Sequence, residues 1–211
     1  TLKKTDKESI LSILEHDLNE AYSLLYDSYR DSERIYPNRK TAQLLLARVY
    51  MLESEWGKAE IMADSILLSP LYQFQDDIYE VFHKSGKHIL WQLKPQKTGD
   101  PTTEAPFYYF DNSEPNSFVL TQSLIDAFSI SDLRRQFWIS EVIFNGNSWY
   151  RPNKYKNLTG TNTNEYSIVF RLEEVYFIKA ESLARQNRYE DALPYLNATR
   201  VRAGLTPLVS I

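Results

Sequence analysis

Cysteine is missing from this sequence, and histidine, methionine and glycine are scarce. The lack of cysteine excludes disulfides, thiol nucleophiles and thiolate metal sites together. The three histidines, His16, His83 and His88, have no partner at metal-ligand or charge-relay spacing. No glycine-rich phosphate loop and no G-x-S-x-G elbow occurs either. We therefore expect neither a metal nor a cofactor.

Long apolar runs and basic stripes are missing as well. The net charge is −4, and Lys and Arg alternate with acids, which argues against a nucleic-acid partner. No apolar run approaches the ~20 residues that cross a bilayer. The opening residues, TLKKTDKES, lack the apolar stretch of a signal peptide, so if the protein is secreted its targeting segment lies outside this sequence. The remaining composition, 43% hydrophobic and 25% charged, is typical of a folded globular protein.

Helical periodicity dominates the first 70 residues. Apolar positions recur at spacings of three and four from Ile10 to Tyr29, which predicts one helix. Two further periodic segments, residues 41–52 and 57–68, flank the polar break ESEWG, and Pro70 ends this pair.

A second helix pair near the C-terminus repeats the pattern of the first. Residues 44–72 and 174–205 align without gaps and match Ala47 with Ala180, Trp56 with Tyr189, and Ala59 with Ala192. Small residues that let helices approach, with an aromatic wedge between them, are typical of tetratricopeptide pairs. The pairs lie 133 positions apart, whereas such repeats recur at about 34 residues. This distance predicts that they are not adjacent units of one array, and that the chain leaves the helical layer between residues 70 and 167.

The intervening segment predicts strands and loops. HILWQL reads as a short strand ended by Pro95, and a Pro- and Thr-rich loop follows it. TQSLIDAFSISDLRR predicts one short amphipathic helix. Asn145-Gly146 lies between two apolar-aromatic runs, which predicts a hairpin with its turn at residues 145–147.

Two aromatic clusters in this segment are the candidate binding residues. A sugar ring offers a C–H face and a rim of hydroxyls, so its site combines flat aromatic faces with polar side chains. We predict Phe107, Tyr108, Trp149 and Tyr150 as stacking platforms, and Asn112, Asn147 and Arg151 as hydroxyl partners. Trp149→Ala should then cost about 1 to 4 kcal/mol of binding free energy. The alternative is that these rings pin a long loop to the core. We assign Trp56 and Trp91 to packing.

The run FRLEEVYFIKAESLARQNRYEDALPYLNATRVRAGL resembles the C-terminal helical signature of the SusD/RagB family, and NRKTAQLLLARVYMLESEWGKAEIMADSILLSPLYQF is similar to its first helical block. The chain looks like a fragment or trimmed form of such a protein. The resemblance implies a mostly α fold, with tetratricopeptide-like helix pairs and a small β-hairpin and loop insertion. We expect one domain over residues 1–211, made of a first helical block (1–70), the insertion (71–166) and the C-terminal pair (167–205).

The resemblance also implies a function. SusD/RagB proteins are outer-membrane lipoproteins that bind glycans, or in some relatives peptides, on the extracellular face without catalysis, and cap a SusC-like TonB-dependent transporter. Membrane attachment would use a lipid anchor that lies outside this chain. The C-terminal helices would be scaffold that faces the transporter, with Asn197, Arg200 and Arg202 joining helix ends to loops.

Two other classes of function stay open from the residues. A scaffold for peptide or protein partners would need an exposed apolar groove on the helices and buried rings in both aromatic loops. An enzyme acting on glycans would need two carboxylates facing each other across a cleft, at separations that sequence does not show.

Overall fold

The computed structural model describes residues 5–211; the first four residues of the predicted first block lie outside them. Helices dominate, and their order along the chain is α1 (Lys7–Leu24), α2 (Arg39–Leu52), α3 (Trp56–Leu67), α4 (Ala105–Tyr108), α5 (Gln122–Asp126), α6 (Leu133–Trp138), α7 (Leu172–Arg185) and α8 (Tyr189–Arg202). The strands are β1 (Ile89–Leu93), β2 (Ile139–Phe144), β3 (Asn147–Pro152) and β4 (Ser167–Arg171). Within this described part, no helix is both long and apolar enough to cross a membrane. The predicted fold class is confirmed, whereas the division into one domain of three blocks stays a prediction.

The long helices form one layer in which each packs on the next: α1 on α2, α2 on α3, α3 on α7, and α7 on α8. The two pairs are therefore neighbours in space, and the prediction that they are not adjacent units was wrong in this respect. The chain does leave the layer after α3 and return at β4. The large separation in sequence does not prevent this packing, because the whole insertion lies between α3 and α7, and these two helices contact each other.

Small residues bring the helices together as the alignment predicted. Ala47, Ala59 and Ala192 are fully buried, and Ala180 is nearly so. Tyr189 differs, because it is 45% exposed at the start of α8 and does not form a wedge between helices. Instead of an aromatic wedge, polar contacts join α3 of the first helix pair to α7 of the second.

Those polar contacts centre on Lys179. This side chain of α7 is buried, and its Nζ donates to Glu60 and Asp64 of α3, each at 2.7 Å. Arg188 also contacts Glu60, at 2.8 Å. The junction between the two helix pairs therefore contains charged side chains that satisfy one another.

Two small antiparallel sheets carry the insertion. β1 pairs with β4, and Trp91 lies opposite Phe170, so the strand predicted at HILWQL is confirmed and its partner lies directly before α7. Trp91 packs on Phe170 and donates its indole N–H to the carbonyl of Ile35, as expected of a packing residue. β2 pairs with β3 in the predicted hairpin, with Asn145 and Gly146 at positive φ in the turn.

Two helix predictions differ from the structure. α1 ends at Leu24 rather than near Tyr29, because the Tyr29 hydroxyl bonds Tyr72 and the carbonyl of Leu90 in the core. The segment from Thr121 onward forms two short helices instead of one. Thr121 caps α5 and Asp132 caps α6, so each helix begins at its own capping side chain.

The C-terminal helix is tied to its surroundings as predicted. Asn197 exchanges two hydrogen bonds with the backbone of Leu208, and Arg200 donates to the carbonyl of Thr206. Arg202 donates to the carbonyl of Gln75, at 2.8 Å, and to Glu173 of α7. α8 is thereby fixed to the loop after α3 and to α7.

Candidate functional site

The insertion encloses a cavity of about 390 Å³ beside the β2–β3 hairpin, which we call the first cavity. Its wall combines aromatic and aliphatic side chains from α4, α5 and α6, from the loops between them and from the segment after β3, namely Tyr108, Leu120, Leu124, Phe128, Trp138 and Tyr155. Three charged side chains, Glu104, Arg134 and Lys154, also line it. A largely apolar pocket with a few polar groups is the usual form of a small-ligand site.

An exposed aromatic pair lies at the edge of this cavity. Tyr108 is 38% exposed and Phe118 57% exposed, and their ring centroids are 5.8 Å apart at a tilt of 41°. α4 presents Tyr108 because Ala105 is fully buried and its N–H bonds the Thr102 hydroxyl, which anchors the single turn. Phe107, on the same turn, is 56% exposed. Exposed rings with fixed backbones can stack on a ligand with little loss of entropy.

The rear wall is rigid because its two rings are hydrogen-bonded to backbone. Trp138 donates its indole N–H to the carbonyl of Ile78 at 3.0 Å, and Tyr155 accepts from the N–H of Ile168 at 3.1 Å. Both rings meet Phe82 edge-on, with centroids 5.1 Å and 5.5 Å away. Burial raises the pKa of Tyr155 to about 12, so its hydroxyl keeps its proton at neutral pH.

The charged side chains of the first cavity differ in their partners. Glu104 accepts from the Ser167 hydroxyl at 2.7 Å. Arg134 donates twice to Asp132, at 3.0 Å and 2.6 Å. Burial raises the pKa of Asp132, but these bonds outweigh it, and the pKa lies below its usual value. Lys154 contacts aromatic rings, with Nζ 5.2 Å from the centroid of Phe82 and 5.3 Å from that of Trp138.

A second cavity of about 410 Å³ adjoins the first and shares Glu104, Lys154 and Tyr155 with it. Arg171 and Glu173, at the junction of β4 and α7, line its other side. The two cavities therefore meet at these three shared side chains, and the second extends to α7 through Glu173, Glu174 and Phe177.

The candidate residues predicted on the second strand of the hairpin, within residues 147–151, lie on different faces of that strand. Successive side chains of a strand point to opposite faces, so Tyr150 shares a face with Pro152 and Ile139, which line the first cavity. Trp149 lies opposite Val142, a buried residue, on the other face. The sequence cluster is therefore not one surface.

Arg151 and the two asparagines have different surroundings. Arg151 is 6% exposed, lies 4.1 Å above the ring of Tyr109, and donates to Asn153 at 3.0 Å. Burial lowers the pKa of this guanidinium, and Tyr109 and Asp111 oppose that shift. Asn112 is exposed at a φ of 51°, and Asn147 is exposed opposite Phe144 at the hairpin end. Of the seven predicted residues, only Tyr108 lines the first cavity.

Sequence reasoning missed Phe118, Trp138, Tyr155 and Lys154. These four come from separate segments of the insertion, and only the fold brings them together. The one local signal was the aromatic dipeptide Phe137-Trp138, which begins the first of the two apolar-aromatic runs that predicted the hairpin. Across residues 5–211, no group of three His, Asp or Glu side chains could hold a metal ion.

Comparison with known proteins confirms the resemblance. Residues 140–210 match the model of the SusD family. A SusD-like carbohydrate binding protein of Bacteroides vulgatus is 20% identical with a TM-score of 0.73, over 95% of this chain and 44% of that protein. Surface glycan-binding protein A of Bacteroides thetaiotaomicron, in complex with laminarihexaose, is 17% identical with a TM-score of 0.70, over 95% and 54%. A laminarin binding SusD-like protein is 20% identical with a TM-score of 0.74, over 98% and 56%.

These likenesses establish the fold. The chain spans about half the length of these solved structures. Among curated protein sequences none matches it.

Proposed function

We propose that this chain, whose residues 140–210 match the SusD family model, binds poly- or oligosaccharides at the cell surface for uptake and leaves them chemically unchanged. The observation that carries this proposal is the first cavity, where the exposed Tyr108–Phe118 pair adjoins the fixed rings of Trp138 and Tyr155. The cavity thereby offers aromatic faces for the C–H side of a sugar and charged groups for its hydroxyls. Two of the structures that share the fold bind laminarin or laminarihexaose.

The carboxylates near the site favour binding over hydrolysis. A glycosidase needs one carboxylic acid and one carboxylate, both facing the scissile bond. Glu104 is the one carboxylate of the first cavity, while in the second cavity Glu173 pairs with Arg202 and Glu174 pairs with Arg48. An acid held in an ion pair keeps its charge and is a poor proton donor.

The residues predicted from sequence take different parts in this proposal. Tyr108 would stack on the sugar, and Tyr150, on the cavity side of the hairpin, would extend the same surface. Phe107, Asn112 and Asn147 are exposed and remain candidate contacts at the edge. Trp149 and Arg151 would act by holding the hairpin, because their pleat face packs against the protein.

Isothermal titration against plant, fungal and host glycans, laminarihexaose included, tests the proposal. We expect saturable binding, and a loss of about 2 kcal/mol, about thirtyfold in affinity, for Tyr108→Ala or Phe118→Ala. Tyr22→Ala is the matched control, because Tyr22 is equally exposed at 38% but lies on α1. Unchanged affinity in both cavity variants would refute this location of the site.

Uptake through a SusC-like TonB-dependent transporter, at the extracellular face of the outer membrane, is the second part of the proposal. It rests on the family match over residues 140–210, which include α7 and α8. The full-length protein should copurify with an outer-membrane transporter from detergent extracts. Recovery of the protein without any such partner under conditions that preserve transporter complexes would contradict this part.

One observation bears on the alternative, a scaffold for peptides or proteins. α1 exposes Ile10, Ile13 and Leu14 on one face, an apolar surface of the kind that a partner helix covers. The same alternative requires buried rings in both aromatic loops, and Phe107 and Tyr108 are exposed. The glycan proposal therefore accounts for more of the structure.

A further inference from the structure

Lys154 lies where the first and second cavities meet, and its charge has no counter-ion among the residues that the structure describes. It lines both cavities, yet within residues 5–211 no carboxylate oxygen comes within 4.0 Å of its Nζ. Its ammonium instead lies over the rings of Phe82 and Trp138, 5.2 Å and 5.3 Å from their centroids. A lysine held over aromatic rings in a concave site keeps its ammonium available to a ligand.

Two arginines on either side increase the positive potential at this position. Arg134 lines the first cavity and Arg171 the second. Asp132 bonds Arg134, while Glu173 bonds Arg202 at 2.5 Å and lies 3.7 Å from Arg171. Glu104 also lines both cavities, and its carboxylate accepts a hydrogen bond from the Ser167 hydroxyl at 2.7 Å. One terminal nitrogen of Arg171, Nη1, is buried and has no hydrogen-bond partner within residues 5–211.

The lysine itself responds to these surroundings. Although the residue as a whole stays exposed, its ammonium lies among protein atoms. This burial lowers the pKa of Lys154, and repulsion from Arg171 and Arg134 lowers it further. An anion at the junction would reverse both effects, because it would return a counter-charge to a cation that has lost part of its water.

We propose that the glycan bound at this site is acidic, and that its carboxylate or sulfate group pairs with Lys154 at the junction of the two cavities. This inference rests on the proposed function and adds a class of ligand to it. The apolar faces of the sugar residues would stack on Tyr108 and Phe118, while the acidic substituent would reach the cation. Carboxylate and sulfate share the chemistry that the site recognises, a compact anion on a polyhydroxylated ring.

The test compares acidic oligosaccharides with their neutral counterparts on the intact chain. Oligogalacturonate is paired with its methyl ester for the carboxylate, and carrageenan oligosaccharides with their desulfated forms for the sulfate. Laminarihexaose serves as a neutral reference. We expect one acidic member to bind at least tenfold more tightly than its neutral partner by isothermal titration, with the preference reduced in high salt.

Lys154→Met should abolish that preference, whereas Lys154→Arg should retain it because the charge remains. Lys156→Met is the matched control, since Lys156 is exposed two residues further on and lines neither cavity. Lys154→Met should be at least as stable in urea as the wild-type chain, because no ion pair is lost and a charge that burial and two arginines disfavour is removed.

The outcomes separate the two proposals. A tenfold preference that Lys154→Met removes and Lys156→Met keeps supports the inference, and the pair that shows it identifies the anion. Equal affinity for acidic and neutral members, or a preference that Lys154→Met leaves intact, overturns this inference and leaves glycan binding standing. Failure of every glycan, laminarihexaose included, to bind overturns the proposed function and this inference with it.

Discussion

Arg202→Met would remove one half of a buried ion pair that joins α8 to α7. The side chains of Arg202 and Glu173 are only 5% and 3% exposed, and Arg202 also donates to the carbonyl of Gln75. After the substitution, the carboxylate of Glu173 would keep Arg171 as its nearest cation, at 3.7 Å. A buried charge that has lost its main partner retains most of its desolvation cost.

Removing one partner of a buried pair typically costs about 3 to 5 kcal/mol. We expect about 3 kcal/mol for Arg202→Met, because Arg171 still offsets part of the charge. Most domains are stable by about 5 to 15 kcal/mol, so the variant should still fold. In Arg202→Met/Glu173→Met most of the loss should be recovered, because neither charge then stays buried alone.

Urea unfolding followed by circular dichroism measures these differences. If the dependence of the unfolding free energy on urea concentration is unchanged, the shift in the urea midpoint gives the change in stability. The control is Arg200→Met on the same helix, which loses hydrogen bonds to a single carbonyl, that of Thr206, and should cost about 1 kcal/mol. An Arg202→Met variant no less stable than the control would refute the view that this pair holds α8 in place. A double variant that is weaker than Arg202→Met would refute the account of the unpaired charge.

Three further predictions concern stability. Burial lowers the pKa of His88 below its usual value of 6.5, so the unfolded chain takes up a proton first and stability should fall as the pH drops below about 6.5. Urea midpoints at pH 8 and pH 5.5 should show this drop, and His88→Gln should diminish it, whereas His16→Gln, on an exposed face of α1, should not. Gly204→Ala should cost at least about 1 kcal/mol in thermal unfolding, because Gly204 has a φ of 71° and a Cβ there would lie 3.0 Å from Leu133. Asn38→Ala should cost about 2 kcal/mol in the same assay, because this buried side chain caps α2 and also donates to the carbonyl of Asp27.

The parts of the fold that were predicted correctly are those that depend on short-range patterns in the sequence. Apolar periodicity located α2 and α3, and Asn145-Gly146 located the hairpin turn, because these signals depend on residues within one or two turns of chain. The buried alanines followed from aligning the two helix pairs. The end of α1 was missed, because Tyr29 is drawn to Tyr72 and to the carbonyl of Leu90, which lie far along the chain.

The candidate site was less accessible to sequence reasoning for the same reason. Aromatic clusters pointed to the insertion and to Tyr108, but contiguity in sequence made Trp149 and Tyr150 look like one surface. A strand alternates its side chains, so the pleat divides them. Phe118, Trp138 and Tyr155 converge from three segments, and no local pattern marks residues that meet only after the chain has folded.

The sequence by itself determined that this chain forms helix pairs of tetratricopeptide type with an inserted hairpin, and that it resembles the SusD/RagB family. Those properties follow from side-chain periodicity and turn chemistry, which act over short distances. The tertiary structure alone decided that α3 and α7 are neighbours, and that Lys154 lies between two cavities with no carboxylate of residues 5–211 paired to it. Such placements depend on how distant segments pack together in the folded protein. The burial of a side chain and the charges around it are set there by its neighbours in space, not by its neighbours in sequence.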